Sequence, residues 1–281
     1  MSPPVEIIIP VRNPTLVLVK TIESLVAQSN RNFSITISDN WSTSGQDYLE
    51  EACEALRQAN LDVQRLRPPI ELGRVEHWNW SHSQARADWI KPLFAGDWLS
   101  GEYIAETQQA IRSHPEVDII NCSFAHGGNA SVESRLSGGF RSPSEVLADV
   151  FRDGNCLGGP INICFRKLAF TCVGGYPAAL PISADFWLIL TLALRKGLFT
   201  CAPLLAYFNV HPDRFSSAFP WHRIDGPREH VVILLAASSQ AAFAEIPFDK
   251  WPRNRYFWRL AKMSVKSWLQ KRSNRGRSPA P

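Results

Sequence analysis

The chain has 281 residues, of which 45% are hydrophobic and 20% are charged, and its formal net charge at pH 7 is +4. This composition excludes a disordered chain, and the length suits one large domain or a domain with an extension. No apolar run approaches the roughly 20 residues that a membrane-spanning helix needs. The start of the chain lacks the basic segment of a secretory signal, so we expect a cytoplasmic protein.

Strands and helices are predicted to alternate along the first hundred residues. The predicted strands cover residues 6–9, 33–38, 63–66 and 89–95, and the predicted helices cover 14–28, 44–60 and 74–87. Further helices are predicted over 103–113, 142–152, 185–196, 224–243 and 254–271, with extended segments at 117–123, 161–165 and 199–209. This alternation indicates an α/β, Rossmann-like domain with a mainly parallel sheet and flanking helices, followed by a C-terminal helical extension.

A single acid follows the fourth predicted strand. Residues 89–95 are apolar apart from Lys91, which is typical of a strand covered on both faces, and Gly96 and Asp97 come next. In an open α/β sheet, ligands bind outside the carboxyl ends of the strands. Asp97 could therefore hold a divalent cation and, through it, a phosphate. An alternative role for Asp97 is to cap the helix predicted to begin near Gly101.

Further polar segments follow the other strands of the predicted sheet. They are Pro10-Val11-Arg12-Asn13, Asp39-Asn40-Trp41-Ser42-Thr43, and Gly73, Arg74 and Asn79 at the third helix. Because the carboxyl ends of parallel strands meet at one edge of a sheet, we expect these segments to lie together with Asp97. The pattern predicts a nucleotide site at that edge.

The order and spacing of these segments resemble family 2 glycosyltransferases of the GT-A fold. Members have a Pro-x-x-Asn turn after the first strand, matched by residues 10–13, and an Asp-Asp/Asn-x-Ser-Thr segment after the second, matched by residues 39–43. A Gly-x(5)-Asn stretch and a strand ending in acids follow. The resemblance covers about residues 5–215 and implies a GT-A domain over 1–220, with 5–97 as the nucleotide-sugar half and 98–220 as the acceptor half. Residues 221–281 would be C-terminal helices.

The resemblance implies roles for the residues of the first half. The nucleotide-sugar site would comprise Pro10, Val11, Asn13, Asp39, Asn40, Arg74, Asn79, Gly96 and Asp97. The first three would line the base and ribose, and either Asp39 or Asn40 would contact the nucleobase edge. Arg74 would bind the diphosphate, unless it is simply a solvated arginine at the start of a helix.

A divalent cation, Mg²⁺ or Mn²⁺, is the cofactor that the resemblance implies. Asp97 matches the last acid of the metal motif, but Gly96 stands where many members keep a first acid, and this leaves the metal dependence open. The cation would rest on Asp97, the nucleotide diphosphate, water and His211, although a lone histidine is also often structural. Arg214 would stabilise the leaving group.

The second half supplies an acid in the segment Leu180–Trp187, which resembles the part of the family that carries the general base. Asp185 would take the proton from the acceptor hydroxyl, and it could also cap the helix that follows. Asn155, Gly158 and Trp187 would lie on the acceptor side.

Basic residues are concentrated at the C-terminus. Residues 250–281 hold ten Lys and Arg and no acid, whereas residues 1–249 hold 20 basic and 26 acidic side chains. A basic amphipathic helix with Trp and Phe is typical of a segment that lies on an anionic membrane, so residues 250–277 could hold the protein at the inner face of the membrane. Alternatively, this helix packs on the domain. No nucleic acid is expected as a partner.

These features together predict an inverting glycosyltransferase. It would move a sugar from a nucleotide-diphosphate sugar to a hydroxyl of a saccharide or lipid-linked acceptor, in the assembly of a bacterial surface polysaccharide or glycolipid. The alternative is a non-catalytic nucleotide-sugar-binding or scaffold protein, for which Gly96 would mark lost metal chemistry. A nucleotidyltransferase fits less well, since residues 10–14 contain no glycine of a phosphate-binding loop.

Overall fold

The computed structural model describes residues 5–126, 136–209 and 225–238. In these ranges the strands are β1 (Val5–Val11), β2 (Phe33–Asp39), β3 (Asp62–Leu66), β4 (Trp89–Pro92), β5 (Trp98–Leu99), β6 (Ile119–His126), β7 (Gly139–Arg141), β8 (Ile163–Arg166) and β9 (Leu198–Phe208). The helices are α1 (Val17–Val26), α2 (Gln46–Gln58), α3 (Arg74–Ser83), α4 (Tyr103–Ser113), α5 (Pro143–Asp153), α6 (Lys167–Cys172), α7 (Ala184–Lys196) and α8 (Asp225–Ser238), with a 3₁₀ turn at Pro160–Asn162. The predicted α/β architecture is confirmed.

All these strands belong to one sheet with the order β3-β2-β1-β4-β8-β6-β9-β5, and β7 pairs with β9. The pairs β1–β2, β2–β3, β1–β4 and β6–β9 are parallel. Strand β8 runs antiparallel between β4 and β6, and β5 and β7 are antiparallel to β9. The sheet is therefore mostly parallel, as expected, and the carboxyl ends of β1 to β4 meet at one edge.

Strand β1 lies inside the sheet, and all seven of its residues are buried. Successive side chains of a strand point to opposite faces, so Ile7 and Ile9 pack with the helices α1, α2 and α4, while Ile8 packs with α3, α5 and α7. Helix α8 contributes Ile233 and Leu234 to this second core. The first helix of the predicted extension is thus packed into the domain.

Two local predictions are wrong at the edge where the predicted site residues lie. Strand β4 ends at Pro92 rather than at residue 95, because the Asp97 amide donates to the Phe94 carbonyl and closes a turn. Helix α1 begins at Val17 rather than at residue 14, since Asn13 has a left-handed φ of 48° and cannot serve as the helix cap.

Helix α4 begins at Tyr103, as predicted, with Glu102 as its N-cap residue. Asp97 is not the cap of this helix, and the alternative role considered for it is wrong. Among the helices of the described ranges, none combines the length and the apolar composition that crossing a bilayer requires.

Candidate active site

Asn13 joins the turns that follow β1 and β2. Its backbone amide donates to Ser42 Oγ at 2.8 Å, and its side-chain oxygen accepts from the backbone amide of Thr43 at 2.8 Å. The positive φ of Asn13 turns this side chain toward the second turn, and asparagine tolerates that conformation better than most residues do. The two predicted nucleotide segments are therefore held together at the edge of the sheet.

Asp39 is fully buried at the end of β2 and forms ion pairs with two arginines. Its Oδ2 accepts from Arg65 at 3.2 Å and from Arg67 at 2.5 Å, while Oδ1 accepts from the Ser42 amide at 3.0 Å. Burial by itself would raise the pKa of Asp39, but the hydrogen bonds from Ser42 and the two arginines outweigh this and lower the pKa to about 2. The carboxylate is thus ionised at neutral pH and brings two cations to this edge.

Asn40 fixes the loop that leads into α3. Its side-chain amide donates to the Leu72 carbonyl at 2.8 Å and accepts from the Leu72 amide at 3.0 Å. The Asn40 backbone amide donates to the Val11 carbonyl at 2.9 Å, which ties the turn to β1 beside Pro10. The side chains of both Asp39 and Asn40, the two candidates for the nucleobase contact, are therefore already hydrogen-bonded within the protein.

Trp41 is an exposed aromatic group at the same edge, and its position in the segment 39–43 did not by itself predict a role for it. It has a left-handed φ of 55°, and 41% of its surface is exposed. Its indole nitrogen donates to the Pro68 carbonyl at 3.0 Å, and the Arg67 guanidinium lies 5.3 Å from the ring centroid. A ring fixed in this way presents a flat apolar surface on which a planar base can stack.

Asp97 is buried where the β4–β5 connection meets the end of β9. Its Oδ1 accepts from the Asn209 amide at 3.0 Å, and its backbone carbonyl accepts from Thr21 Oγ1 at 2.8 Å. Thr21 Oγ1 also accepts from the Gly96 amide at 2.9 Å. Helix α1 therefore fixes the position of this acid through one hydroxyl group.

The donor set at Asp97 fits a cation that takes few ligands from the protein. Within the described residues, no three His, Cys, Asp or Glu side chains cluster as a metal site. Magnesium often uses one or two carboxylates together with phosphate oxygens and water, so the single acid is compatible with such an ion. Of the predicted metal ligands, Asp97 is described by the structure and His211 lies outside the described residues.

Trp78 of α3 connects the Asp97 turn to the second half of the chain. Its ring centroid lies 4.9 Å from that of Phe94 and 5.5 Å from that of Tyr176. The Arg74 guanidinium lies 4.5 Å from the Trp78 centroid and donates to the Pro181 carbonyl. Arg74, predicted to bind the diphosphate, is thus engaged with the segment that leads to Asp185.

Asn79 holds the turn at Tyr176. Its amide nitrogen donates to the Tyr176 carbonyl, and its oxygen accepts from the Tyr176 amide, both at 2.8 Å. A Cβ on Gly175 would lie 2.5 Å from Asn79 Oδ1, so this close approach requires glycine. Both polar atoms of Asn79 therefore serve the turn, and the residue acts by positioning it.

Asp185 lies in the first turn of α7 and is half-buried. Its Oδ1 accepts from the Phe186 amide at 2.8 Å, and a Cβ built on Gly159 would lie 3.6 Å from Oδ2. Burial raises the pKa of Asp185 above its ordinary value, and the nearby charge of Arg74 opposes this shift. A carboxylate with raised proton affinity beside a glycine loop is suited to accept a proton from a substrate hydroxyl.

The predicted acceptor loop does run past Asp185. Asn155 donates to the Gly158 carbonyl at 3.0 Å, and Gly158 has a positive φ of 92°. A Cβ there would meet the Asn162 side chain at 2.3 Å, so Gly158 shapes the loop. Trp187 is half-buried and packs against the second core from the side of α7.

Glu229 is an acid near Asp185 that the sequence analysis missed. This α8 residue is 9% exposed, and its Oε2 accepts from the amides of Ser183 at 2.7 Å and Ile182 at 3.0 Å. The pairing spans more than forty residues, and no motif in the sequence indicates it. His211, Arg214 and residues 250–277 lie outside the described residues, so their predicted roles stay predictions.

The sequence is similar to known proteins of one family. The sequence matches the model of the family described as Glycosyl transferase family 2 over residues 6–169, which is more than half of the chain. An uncharacterized glycosyltransferase from Haemophilus influenzae is 25% identical over 237 residues, which cover 80% of this chain and 76% of that protein.

Solved structures share the fold at low sequence identity. S. aureus TarS 1–349 in complex with UDP-GlcNAc has a TM-score of 0.66 at 15% identity, with 85% of this chain and 68% of that chain covered. The mannosyltransferase PcManGT from Pyrobaculum calidifontis, in complex with GDP-Man and Mn²⁺, has a TM-score of 0.61 at 13% identity, with 97% and 76% covered. The chain spans 40% of the length of a longer TarS structure. Since the fold matches theirs and the family model covers more than half of its length, the chain belongs to glycosyl transferase family 2 and is a glycosyltransferase of the GT-A fold.

Proposed function

We propose that the protein is an inverting glycosyltransferase that uses a nucleotide-diphosphate sugar, with Asp185 as the general base. The observation that carries this proposal is the environment of Asp185, which combines a raised pKa with an adjacent glycine loop. Asp185 is also linked to the nucleotide edge, because Arg74 binds the carbonyl of Pro181 and stacks on Trp78, which contacts Phe94.

We propose the following reaction at this site. The acceptor hydroxyl oxygen attacks the anomeric carbon, and Asp185 takes the hydroxyl proton as the new bond forms. The bond between the anomeric carbon and the diphosphate breaks, and its electron pair leaves with the nucleotide diphosphate. Attack opposite to the leaving group inverts the anomeric configuration. In this proposal, residues 5–97 bind the nucleotide-sugar donor and residues 98–220 bind the acceptor.

A nucleotide-sugar donor is supported by the neighbours, whose structures contain UDP-GlcNAc and GDP-Man. On this chain the donor would lie along the edge formed by Asn13, Asp39 and Trp41. The arginines on Asp39 keep this edge cationic, and guanidinium groups suit phosphate oxygens. Arg214 would add a further cation at the leaving group.

A divalent cation would be held by Asp97, with His211 as a further candidate ligand. Mn²⁺ is present in the PcManGT structure and in that of GalNAc-T7, which supports such an ion here. When bound, the ion would neutralise charge that develops on the departing diphosphate. Thr21 and Asn209 hold the Asp97 turn for this purpose.

The acceptor is proposed to be a saccharide or a lipid-linked saccharide in the assembly of a surface polysaccharide or glycolipid. The basic C-terminal sequence supports a membrane-proximal acceptor, because ten Lys and Arg over residues 250–281 would be attracted to anionic lipids. We propose that residues 250–277 bring the enzyme to the inner face of the membrane.

Thermal-shift measurements with UDP, GDP, dTDP and CMP, each with and without Mn²⁺ or Mg²⁺, test the donor site first. A ligand that binds only the folded state must raise its melting temperature. We expect one nucleoside diphosphate to shift the melting temperature, more strongly with metal, and Asp97→Ala to abolish the metal increment. A shift that does not depend on metal would remove the role of Asp97 and keep the donor site. The absence of any shift would favour the scaffold alternative.

A further inference from the structure

Glu229 is a buried acid that the proposed reaction does not use. It projects from α8 to the segment before α7, where its Oε2 accepts from the amide of Ser183 at 2.7 Å and from that of Ile182 at 3.0 Å. Burying an ionised carboxylate costs free energy unless hydrogen bonds satisfy it, and two backbone amides supply them here.

Within the first turn of helix α7, Asp185 accepts from the Phe186 amide, as its predicted capping role requires, but the N-cap side chain adds no hydrogen bond. The N-cap residue is Ser183, whose side chain makes no capping hydrogen bond, and Ser183 Oγ is buried without a hydrogen-bond partner among the described residues. The amides at the start of a helix need acceptors, and a negative charge there is favourable. Glu229 of another helix supplies a charged acceptor to the amides of Ile182 and Ser183, directly before α7. The orientation of the first turn of α7, which contains Asp185, therefore depends on α8.

The charged groups around Asp185 come from several elements. Arg74 reaches it from α3 and lowers its pKa, while Glu229 from α8 raises it. Tyr176 lies close enough for Asp185 to raise the pKa of its buried hydroxyl group. On the far side, the His230 ring packs 5.1 Å from Phe186. Glu229 and Arg74 therefore have opposite effects on the pKa of Asp185.

We propose that Glu229 is a positioning residue for sugar transfer, which holds the Ile182–Ser183 backbone and thereby keeps the Asp185 carboxylate directed at the acceptor. This role rests on the proposed function of Asp185. It makes α8 part of the active site, although the family match ends at residue 169. We expect donor binding along Asn13, Asp39 and Trp41 not to depend on Glu229, whose hydrogen bonds to Ile182 and Ser183 lie before α7.

The substitutions Glu229→Gln and Glu229→Asp distinguish the effect of the charge of Glu229 from the effect of its side-chain length. Glutamine keeps one oxygen acceptor and removes the charge, whereas aspartate keeps the charge on a shorter side chain. With Glu229→Gln, we expect nucleotide binding as in the wild type. We also expect the acid limb of the kcat/KM profile to move to lower pH, since a like charge next to Asp185 is gone. With Glu229→Asp, we expect the acid limb of the profile to stay at the wild-type pH. We expect kcat to fall by about tenfold, because the shorter side chain no longer holds the amides of Ile182 and Ser183 before α7.

Glu54→Gln is the matched control, because Glu54 is exposed on α2 and bonds only with Gln58 among the contacts that the structure gives for it. It should leave the profile unchanged. A wild-type pH profile and kcat for both Glu229 variants would overturn the proposal. If the wild type transfers no sugar, the proposed function fails; carboxyl ¹³C NMR titration of Asp185 in the wild type and in Glu229→Gln then decides separately whether Glu229 controls this group. Equal titration midpoints would overturn the role of Glu229.

Discussion

Asn79 and Tyr176 are joined by two hydrogen bonds of 2.8 Å, one in each direction between the side-chain amide and the backbone. The contact connects α3, which follows the donor edge of the sheet, to the turn that precedes Asp185. Gly175 has a φ of 71° and lies directly against the Asn79 side chain, so the close approach is part of the local backbone geometry. The side chain of Asn79 is thus one of the contacts that fix α3 against the turn before Asp185, together with those of Arg74 and Trp78.

Asn79→Ala should destabilise the protein. It removes two hydrogen bonds and leaves backbone groups of Tyr176 without their partner, which we expect to lower the free energy of unfolding by about 2–3 kcal/mol. The melting temperature should fall by about 5–10 °C. Gln84→Ala is the matched control, since Gln84 is exposed at the end of the same helix. Equal melting temperatures for the two variants would contradict the role given to Asn79.

Asp185→Asn should abolish sugar transfer and keep donor binding. Asparagine has a similar shape but cannot take the hydroxyl proton, and a general base contributes about 10²–10⁴-fold to a rate. Product formation would be measured by chromatography, and donor binding by thermal shift. Asp47→Asn is the control, because Asp47 is an exposed acid in the first turn of α2. Transfer at the wild-type rate by Asp185→Asn would exclude this residue as the base.

The pH dependence of transfer should carry the signature of Asp185. Its pKa is raised above 3.8, chiefly by burial, and the base must be deprotonated to act. The value of kcat/KM should therefore rise with pH through a midpoint above 3.8. Asp39 cannot be the source of such a midpoint, because its pKa is lowered to about 2. A profile that stays flat down to the onset of acid unfolding would contradict the assignment.

Stability should fall with acid well before the carboxylates titrate. Burial lowers the pKa values of both His77 and His82 from 6.5 to about 4. Between these values the unfolded chain binds protons that the folded protein does not, so folding loses stability as pH falls. From pH 7 to pH 5 we expect a loss of about 2 kcal/mol for each ring.

Denaturant unfolding of the wild type and of His77→Asn at several pH values checks this expectation. The variant should show a shallower dependence on pH than the wild type. The denaturant m-value serves as the control, since an unchanged m-value shows that the surface exposed on unfolding is the same. An identical slope for both proteins would show that His77 is not the titrating group.

Gly96→Asp should not restore a second metal ligand without cost. Gly96 has a φ of 95°, which side chains rarely adopt, and a Cβ there would lie 3.1 Å from the Asn209 side chain. We expect a loss of more than about 1 kcal/mol, read as a lower melting temperature. Gly174→Asp is the control, because Gly174 has a φ of 78° and open space around its Cβ position. If Gly96→Asp melts at the higher temperature of the two, the contact with Asn209 imposes no strain.

The alternation of strands and helices could be predicted because it depends on local apolar periodicity. Helix α4 was placed correctly over Tyr103–Ser113. The end of β4 was not, since Leu93 lies beyond the strand but is buried like a strand residue, and its amide still donates to the Ile8 carbonyl of β1 at 2.9 Å. The start of α1 was not predicted either: Asn13 directly precedes Pro14, a pair typical of a helix start, but its side chain accepts from the Thr43 amide, thirty positions further along the chain.

The candidate site was predictable only where a residue follows a strand directly. Asp39 and Asp97 both lie at the expected edge of the sheet. The arginines on Asp39 and the acid beside Asp185 could not be predicted, because those pairings form only when distant elements pack together. Arg74 and Asn79 were assigned to the nucleotide on their sequence positions, but their contacts point to the second half of the chain.

Helix α3 also determines how this enzyme could be recombined with relatives. Arg74, Trp78 and Asn79 belong in sequence to the proposed donor half, yet they contact Pro181 and Tyr176 of the proposed acceptor half. A chimaera joined near residue 98 would combine α3 from one parent with the turn and the α7 start from another. A chimaera that exchanges the proposed acceptor half should therefore transfer residues 73–83 with it, so that the contacts of α3 with Tyr176 and Pro181 are kept.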